Sequence, residues 1–173
     1  MRKDFFYTNT SVVAVLLLCL QAGIPKATAG DADSHEFPGK GNRAAWDEAN
    51  AYYIQGVQAT QSGKVELSVV AYKKAISIYP DDPDFQINLG VALEDKGSFK
   101  EAETVLLKAL TMVPQNWTVS YNLGNVMYAE HKYQDAVNYW SKAMTLNPPE
   151  HFRKKSESNI ALVTKQFLSK QHK

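Results

Sequence analysis

Three sets of residues recur every 34 positions, and a fixed period of that length constrains the fold more than composition can. Gly56, Gly90 and Gly124 form one set, Ala75, Ala109 and Ala143 a second, and Pro80, Pro114 and Pro148 a third. Between these anchors the character of the chain is kept. Gln55, Leu89 and Leu123 precede the glycines, Val65, Phe99 and Tyr133 open the second half of each unit, and Tyr72, Leu106 and Trp140 are bulky. Turn formers such as Ser62-Gly63, Pro80-Asp81-Asp82-Pro83, Lys96-Gly97-Ser98 and Pro114-Gln115-Asn116 bound each half-unit. Apolar residues inside the halves recur at helical spacing, so the pattern predicts helix, turn, helix, three times over. The glycines then fall mid-helix, where each costs about 1 kcal/mol relative to alanine. That cost is reasonable only where a partner helix comes too close for a side chain, and Ala75, Ala109 and Ala143 are the small surfaces expected to face them.

The chain has 173 residues, enough for one domain with a sizeable core, and 45% hydrophobic with 21% charged residues is the balance of a globular protein. Residues 1–29 read differently. Arg2 and Lys3 give a positive start, Ser11 to Leu20 is almost wholly apolar, and Ala27-Thr28-Ala29 supplies the small residues of a cleavage site. The expectation is a signal peptide cleaved near Ala29 and an exported protein, in a periplasm, a lumen or the medium. A membrane anchor through residues 11–24 is the alternative, although its apolar run is about half of the roughly 20 residues that span a bilayer. Cys19, the single cysteine, lies inside that segment, leaving the mature chain without a disulfide, a thiol nucleophile or a thiolate ligand.

The anchors together resemble the tetratricopeptide repeat family over residues 49–82, 83–116 and 117–150. The later copies carry the likeness best, with Asn88-Leu89-Gly90 followed by Ala102, Ala109 and Pro114, and Asn122-Leu123-Gly124 followed by Ala136, Ala143 and Pro148. The first copy departs, with Gln55 where a leucine and Ser68 where an alanine is usual. The resemblance implies an all-α fold, a right-handed superhelical stack of three helix-turn-helix hairpins spanning 43–150. Arg43 to Gln61 reads as one extended first helix carrying Trp46 and Tyr52, and residues 30–42 as a flexible linker. Residues 151–173 read as a basic capping, or solvating, helix and tail. Phe152, Ile160, Val163 and Phe167 form its apolar stripe, and six basic residues stand against Glu157 alone.

In this family, the resemblance implies, ligands lie along the concave face lined by the first helix of each hairpin. Here those slots hold Asn50, Tyr53, Val57 and Thr60; Asp84, Ile87, Val91 and Glu94; and Thr118, Tyr121, Asn125 and Tyr128. Relatives that grip a terminal carboxylate use lysine, asparagine and arginine there. Tyr53, Val57, Thr118 and Asn122 replace that set and only Asn88 fits, so a carboxylate-gripping adaptor is not expected. What remains is an aromatic and aliphatic trough with amides beside it, suited to a protein or peptide with an apolar segment. The candidate binding residues are therefore Tyr53, Val57, Ile87, Asn88, Val91, Tyr121, Asn122, Asn125 and Tyr128. Asn88 and Asn122 have a structural reading too, as bonds between neighbouring helices. The alternative function is a self-associating structural subunit, a homodimer or a chain whose own 30–42 segment covers the groove.

Other chemistries find little support. His35, His131, His151 and His172 are scattered through linker, turn and tail without the spacing that puts two ligands on one helical face, so no metal site or cofactor is expected. No nucleophile turn, phosphate-cradling loop or acid and base pair points to an enzyme or a small-molecule substrate. Asp81-Asp82 reads as turn residues. The basic tail lacks interleaved aromatics, so nucleic acid is not an expected partner. Asn116-Trp117-Thr118 has the form of a glycosylation acceptor, but Asn116 also stands where a helix N-cap is wanted.

Overall fold

The computed structural model describes residues 35–167; the signal-like segment with Cys19, and residues 168–173, lie outside the described residues. Among the described residues seven helices follow one another: α1 (Arg43–Gln61), α2 (Val65–Ile78), α3 (Pro83–Asp95), α4 (Phe99–Met112), α5 (Trp117–Ala129), α6 (Tyr133–Thr145) and α7 (Glu150–Gln166). There is no strand among the described residues. Each helix packs on the next, and the first helices of successive hairpins also touch, α1 on α3 and α3 on α5. This is the expected stack of three hairpins closed by a C-terminal helix.

Local signals set the helix ends. Asn42, Asp82 and Asn116 cap the three first helices, and the Asn116 side chain accepts from the Thr118 amide at 2.8 Å. Pro83 follows Asp82 at the first helical position, where its missing N–H costs nothing. The turn inside each hairpin needs one residue in the left-handed region. Gly63 (φ 68°) and Gly97 (φ 79°) supply it in the first two hairpins, and His131 (φ 62°) takes the same place in the third, against the steric preference of a side chain.

The mid-helix glycines are close contacts, although not with the expected partner. A Cβ on Gly56 would stand 2.4 Å from the Tyr72 ring, one on Gly90 2.5 Å from Leu106, and one on Gly124 2.4 Å from Trp140. The bulky residue of the second helix fills each notch. Ala75, Ala109 and Ala143 are fully buried elsewhere in the hairpin packing. The middle of the stack is enclosed, since every residue from Phe85 to Leu93 on α3 is buried. With helices on several sides, α3 has no solvent face over that stretch, which is why its sequence lacks a polar stripe.

Candidate functional site

Tyr53 lies on α1, Ile87, Asn88 and Val91 on α3, and Tyr121 and Asn122 on α5. All six are buried, while Val57, Asn125 and Tyr128 are half-buried. Asn88 uses both amide hydrogens internally, donating to the Tyr53 hydroxyl (3.1 Å) and to the Asp84 carbonyl (3.0 Å). It ties α1 to α3. Asn125 accepts from the Trp140 indole N–H at 3.0 Å, and the Tyr128 ring lies 6.0 Å from Trp140 and 5.8 Å from Tyr133. The accessible part of the row comprises Val57 and Thr60 on α1, Glu94 on α3, and Asn125 and Tyr128 on α5, all in the later halves of those helices, with half-buried Asn50 and Asp84 in the early halves.

The early half of the row is covered by the chain itself. Residues 35–42, read from sequence as part of a free linker, lie against the first two repeats. The His35 ring sits 4.6 Å from Tyr53 and 5.3 Å from both Trp46 and Phe85. Phe37 packs edge-on to Trp46 and Tyr79, Arg43 lies over the Phe37 and Trp46 rings, and the Tyr79 hydroxyl donates to the Lys40 carbonyl. At the other end Phe152 of α7 stands 4.7 Å from Trp117 and 5.2 Å from Tyr121, and Phe167 stacks on Tyr133 at 3.9 Å. The expected apolar stripe of α7 therefore does its capping work, with Phe152 and Val163 buried.

Polar groups gather under the N-terminal segment. His35 Nδ1 is 3.0 Å from Asn50 Oδ1, and Nε2 is 3.2 Å from Asp82 and 3.4 Å from Asp84. Asp82 also accepts from the Trp46 indole at 2.8 Å and from the Asp84 backbone at 2.9 Å. Burial acts to lower the His35 pKa, but the bonds to Asp82 and Asn50 and the charges of Asp82 and Asp84 outweigh it and raise the value. Burial acts to raise Asp82, and the bonds from His35 and Trp46 reverse the sign and hold it below the usual carboxylate range. Asp84 is pushed up, by burial and by the charge of Asp82. Sequence reading missed this cluster because its members are 47 and 2 positions apart and each has an ordinary local role, linker, N-cap and first-turn acid.

Comparison with known proteins decides the family. The sequence matches the TPR repeat family over residues 49–97 and the tetratricopeptide repeat family over 83–116 and 117–150. The chain belongs to the tetratricopeptide repeat family. No curated protein matches this repeat protein as a relative. Solved structures share its fold. The TPR domain of Arabidopsis OM64 superposes with a TM-score of 0.66 at 17% identity, covering 71% of this chain and 99% of that one. The TPR2B domain of yeast Sti1, solved in a pHsp70 complex, gives 0.65 at 20%, covering 69% and 98%. The Yersinia enterocolitica type III secretion chaperone SycD, solved with a peptide of the translocator YopD, gives 0.66 at 17%, covering 71% and 97%. The two single-repeat matches, 83–116 and 117–150, each span one 34-residue unit, while the first match runs from 49 on to 97.

Proposed function

We propose that the protein is an exported, non-enzymatic binding module, an adaptor or assembly factor that holds an apolar segment of a partner protein along its first helices. The reading rests chiefly on one observation: half-buried Val57, Asn125 and Tyr128, with Thr60 and Glu94, line up on the later halves of α1, α3 and α5. Tyr53, Ile87, Asn88, Val91, Tyr121 and Asn122 form the wall behind them, too buried for a ligand to reach and well placed to keep the surface rigid. Sti1, solved in a pHsp70 complex, and SycD, solved with a peptide of the translocator YopD, share the fold, which supports a protein or peptide as the class of partner. Export is proposed from the charged start, the apolar run and Ala27-Thr28-Ala29.

The test compares the parent with a Val57→Asp, Tyr128→Ala double variant of unchanged helicity. A partner co-isolated from the exported fraction with the parent and lost with the variant supports the groove; equal recovery sinks it. The amino-terminal residue of the isolated protein checks export, with Gly30 expected and Met1 pointing to the anchored alternative. A second reading, self-association, draws on the N-terminal segment already covering Tyr53 and Phe85. A mass that rises with concentration in the parent but not in the double variant favours that reading over the adaptor.

A further inference from the structure

We propose that His35, Asp82 and Asp84 form a binding site for a divalent transition-metal ion of the Zn2+ type, which fastens the N-terminal segment to the first two repeats. This does not depend on the peptide-binding reading. It is the group among the described residues in which one atom from a histidine and one from each of two carboxylates all lie within 4.8 Å of one another. Zinc bonds nitrogen and carboxylate oxygen at about 2.0–2.2 Å, so two ligands at the tetrahedral angle stand about 3.3–3.6 Å apart. The spacings from His35 Nε2, 3.2 Å to Asp82 Oδ2 and 3.4 Å to Asp84 Oδ2, are close to that edge length, and with the carboxylate oxygens within 4.8 Å of each other an ion would draw the two acids together as it enters.

The surroundings also suit a ligand set. Asn50 Oδ1, 3.0 Å from Nδ1, accepts the proton on that nitrogen and so leaves the lone pair of neutral His35 on Nε2, facing the carboxylates. The indole of Trp46 and the backbone N–H of Asp84 orient Asp82 from behind. The side chains of His35 and Asp82 are 5% and 2% exposed, while that of Asp84 is 31% exposed, leaving an approach from solvent on its side. Charge favours the ion as well. Two carboxylates beside one imidazole leave the cluster at −1 even when His35 is protonated, whereas a divalent ion with neutral His35 brings it to zero. One imidazole nitrogen and two carboxylates match a Zn2+ type ion better than Ca2+, which takes six to eight oxygens.

The experiment titrates the full chain, purified without a polyhistidine tag, with Zn2+ and separately with Ca2+. Expected is one Zn2+ per chain, no comparable Ca2+ binding, and a Co2+ complex with visible absorption of a four- or five-coordinate site. Asp84→Asn removes one ligand without touching the Asp82 cap and should weaken Zn2+ by more than the ~10–100-fold typical of losing an orienting partner. Asn50→Ala, which loses only such a partner, should fall within that range. His35→Ala should abolish the Co2+ absorption. The proposal is overturned if the parent binds no Zn2+, or if Asp84→Asn binds it as the parent does, which would place the ion on His131, His151 or His172. Should His35→Ala misfold, the Asp84→Asn titration still decides.

Discussion

The two ends of the stack are closed with different shares of polar and apolar contact. At the first repeats a non-helical segment, residues 35–42, is held over the core by a histidine among carboxylates and an amide, with the Phe37 ring against Trp46 and Tyr79 beside it. At the third repeat a helix is held by rings, Phe152 against Trp117 and Tyr121, and Phe167 against Tyr133. Apolar closure is non-directional and tolerates changes in salt and pH, while a polar closure depends on every partner being present and correctly charged. With more of its contacts polar, the N-terminal end is the one expected to open first while the repeats stay folded, and the C-terminal helix is expected to melt with the fold.

Breaking the apolar end should have the largest effect. Phe152→Ala should cost about 3–5 kcal/mol and lower the melting temperature of the whole chain; a melting curve as stable as the parent's would mean α7 is not part of the cooperative unit. Within the same end, Gly124→Ala drives a Cβ to 2.4 Å from the Trp140 ring and should cost about 1–3 kcal/mol in a denaturant titration. His35→Ala, at the polar end, should cost about 1–3 kcal/mol locally. Its signature differs: amide exchange should quicken over residues 35–42 and leave α5 to α7 unchanged. Exchange that quickened through all three hairpins would erase the contrast between the ends.

Two smaller effects sharpen it. Burial raises the Tyr72 pKa above its ordinary 10.0, although the bond with Thr60 works against the shift. The folded chain thus keeps a proton that the unfolded chain releases, so this contribution is intact below about pH 10 and falls as pH rises further. Tyr72→Phe should flatten the alkaline limb of the stability profile, and an unchanged limb would assign it to other groups. At the third hairpin His131→Gly relieves a left-handed backbone and should stabilise by up to about 1 kcal/mol, less what the His131 Nδ1 to Tyr133 hydroxyl bond (2.9 Å) now contributes. A loss in melting temperature would show that this bond outweighs the backbone strain.

Much of the architecture was legible because it is local or periodic. The 34-residue anchors, the turn residues and Asn116 before Trp117 act within a few positions of themselves, so the hairpins and the Asn116 cap could be read directly, while the caps Asn42 and Asp82 read as linker and turn. Partners across the packing were harder. The notch residues Gly56, Gly90 and Gly124 were expected to meet Ala75, Ala109 and Ala143, yet they meet Tyr72, Leu106 and Trp140, because a bulky side chain reaching into a notch leaves the same sequence signal as a close helix approach. In the candidate row, slot numbering places Tyr53, Ile87 and Tyr121 on one face, but it carries no information about what lies over that face.

The sequence by itself determined the period, the helix boundaries and the row of first-helix residues, since backbone propensity and side-chain periodicity are properties of neighbouring residues. Only the tertiary structure decided which of that row stays accessible and that His35 meets Asp82 and Asp84. Both depend on where a segment without periodicity comes to rest. The forces that hold it, charge and hydrogen bonding across 47 positions, leave no pattern along the chain.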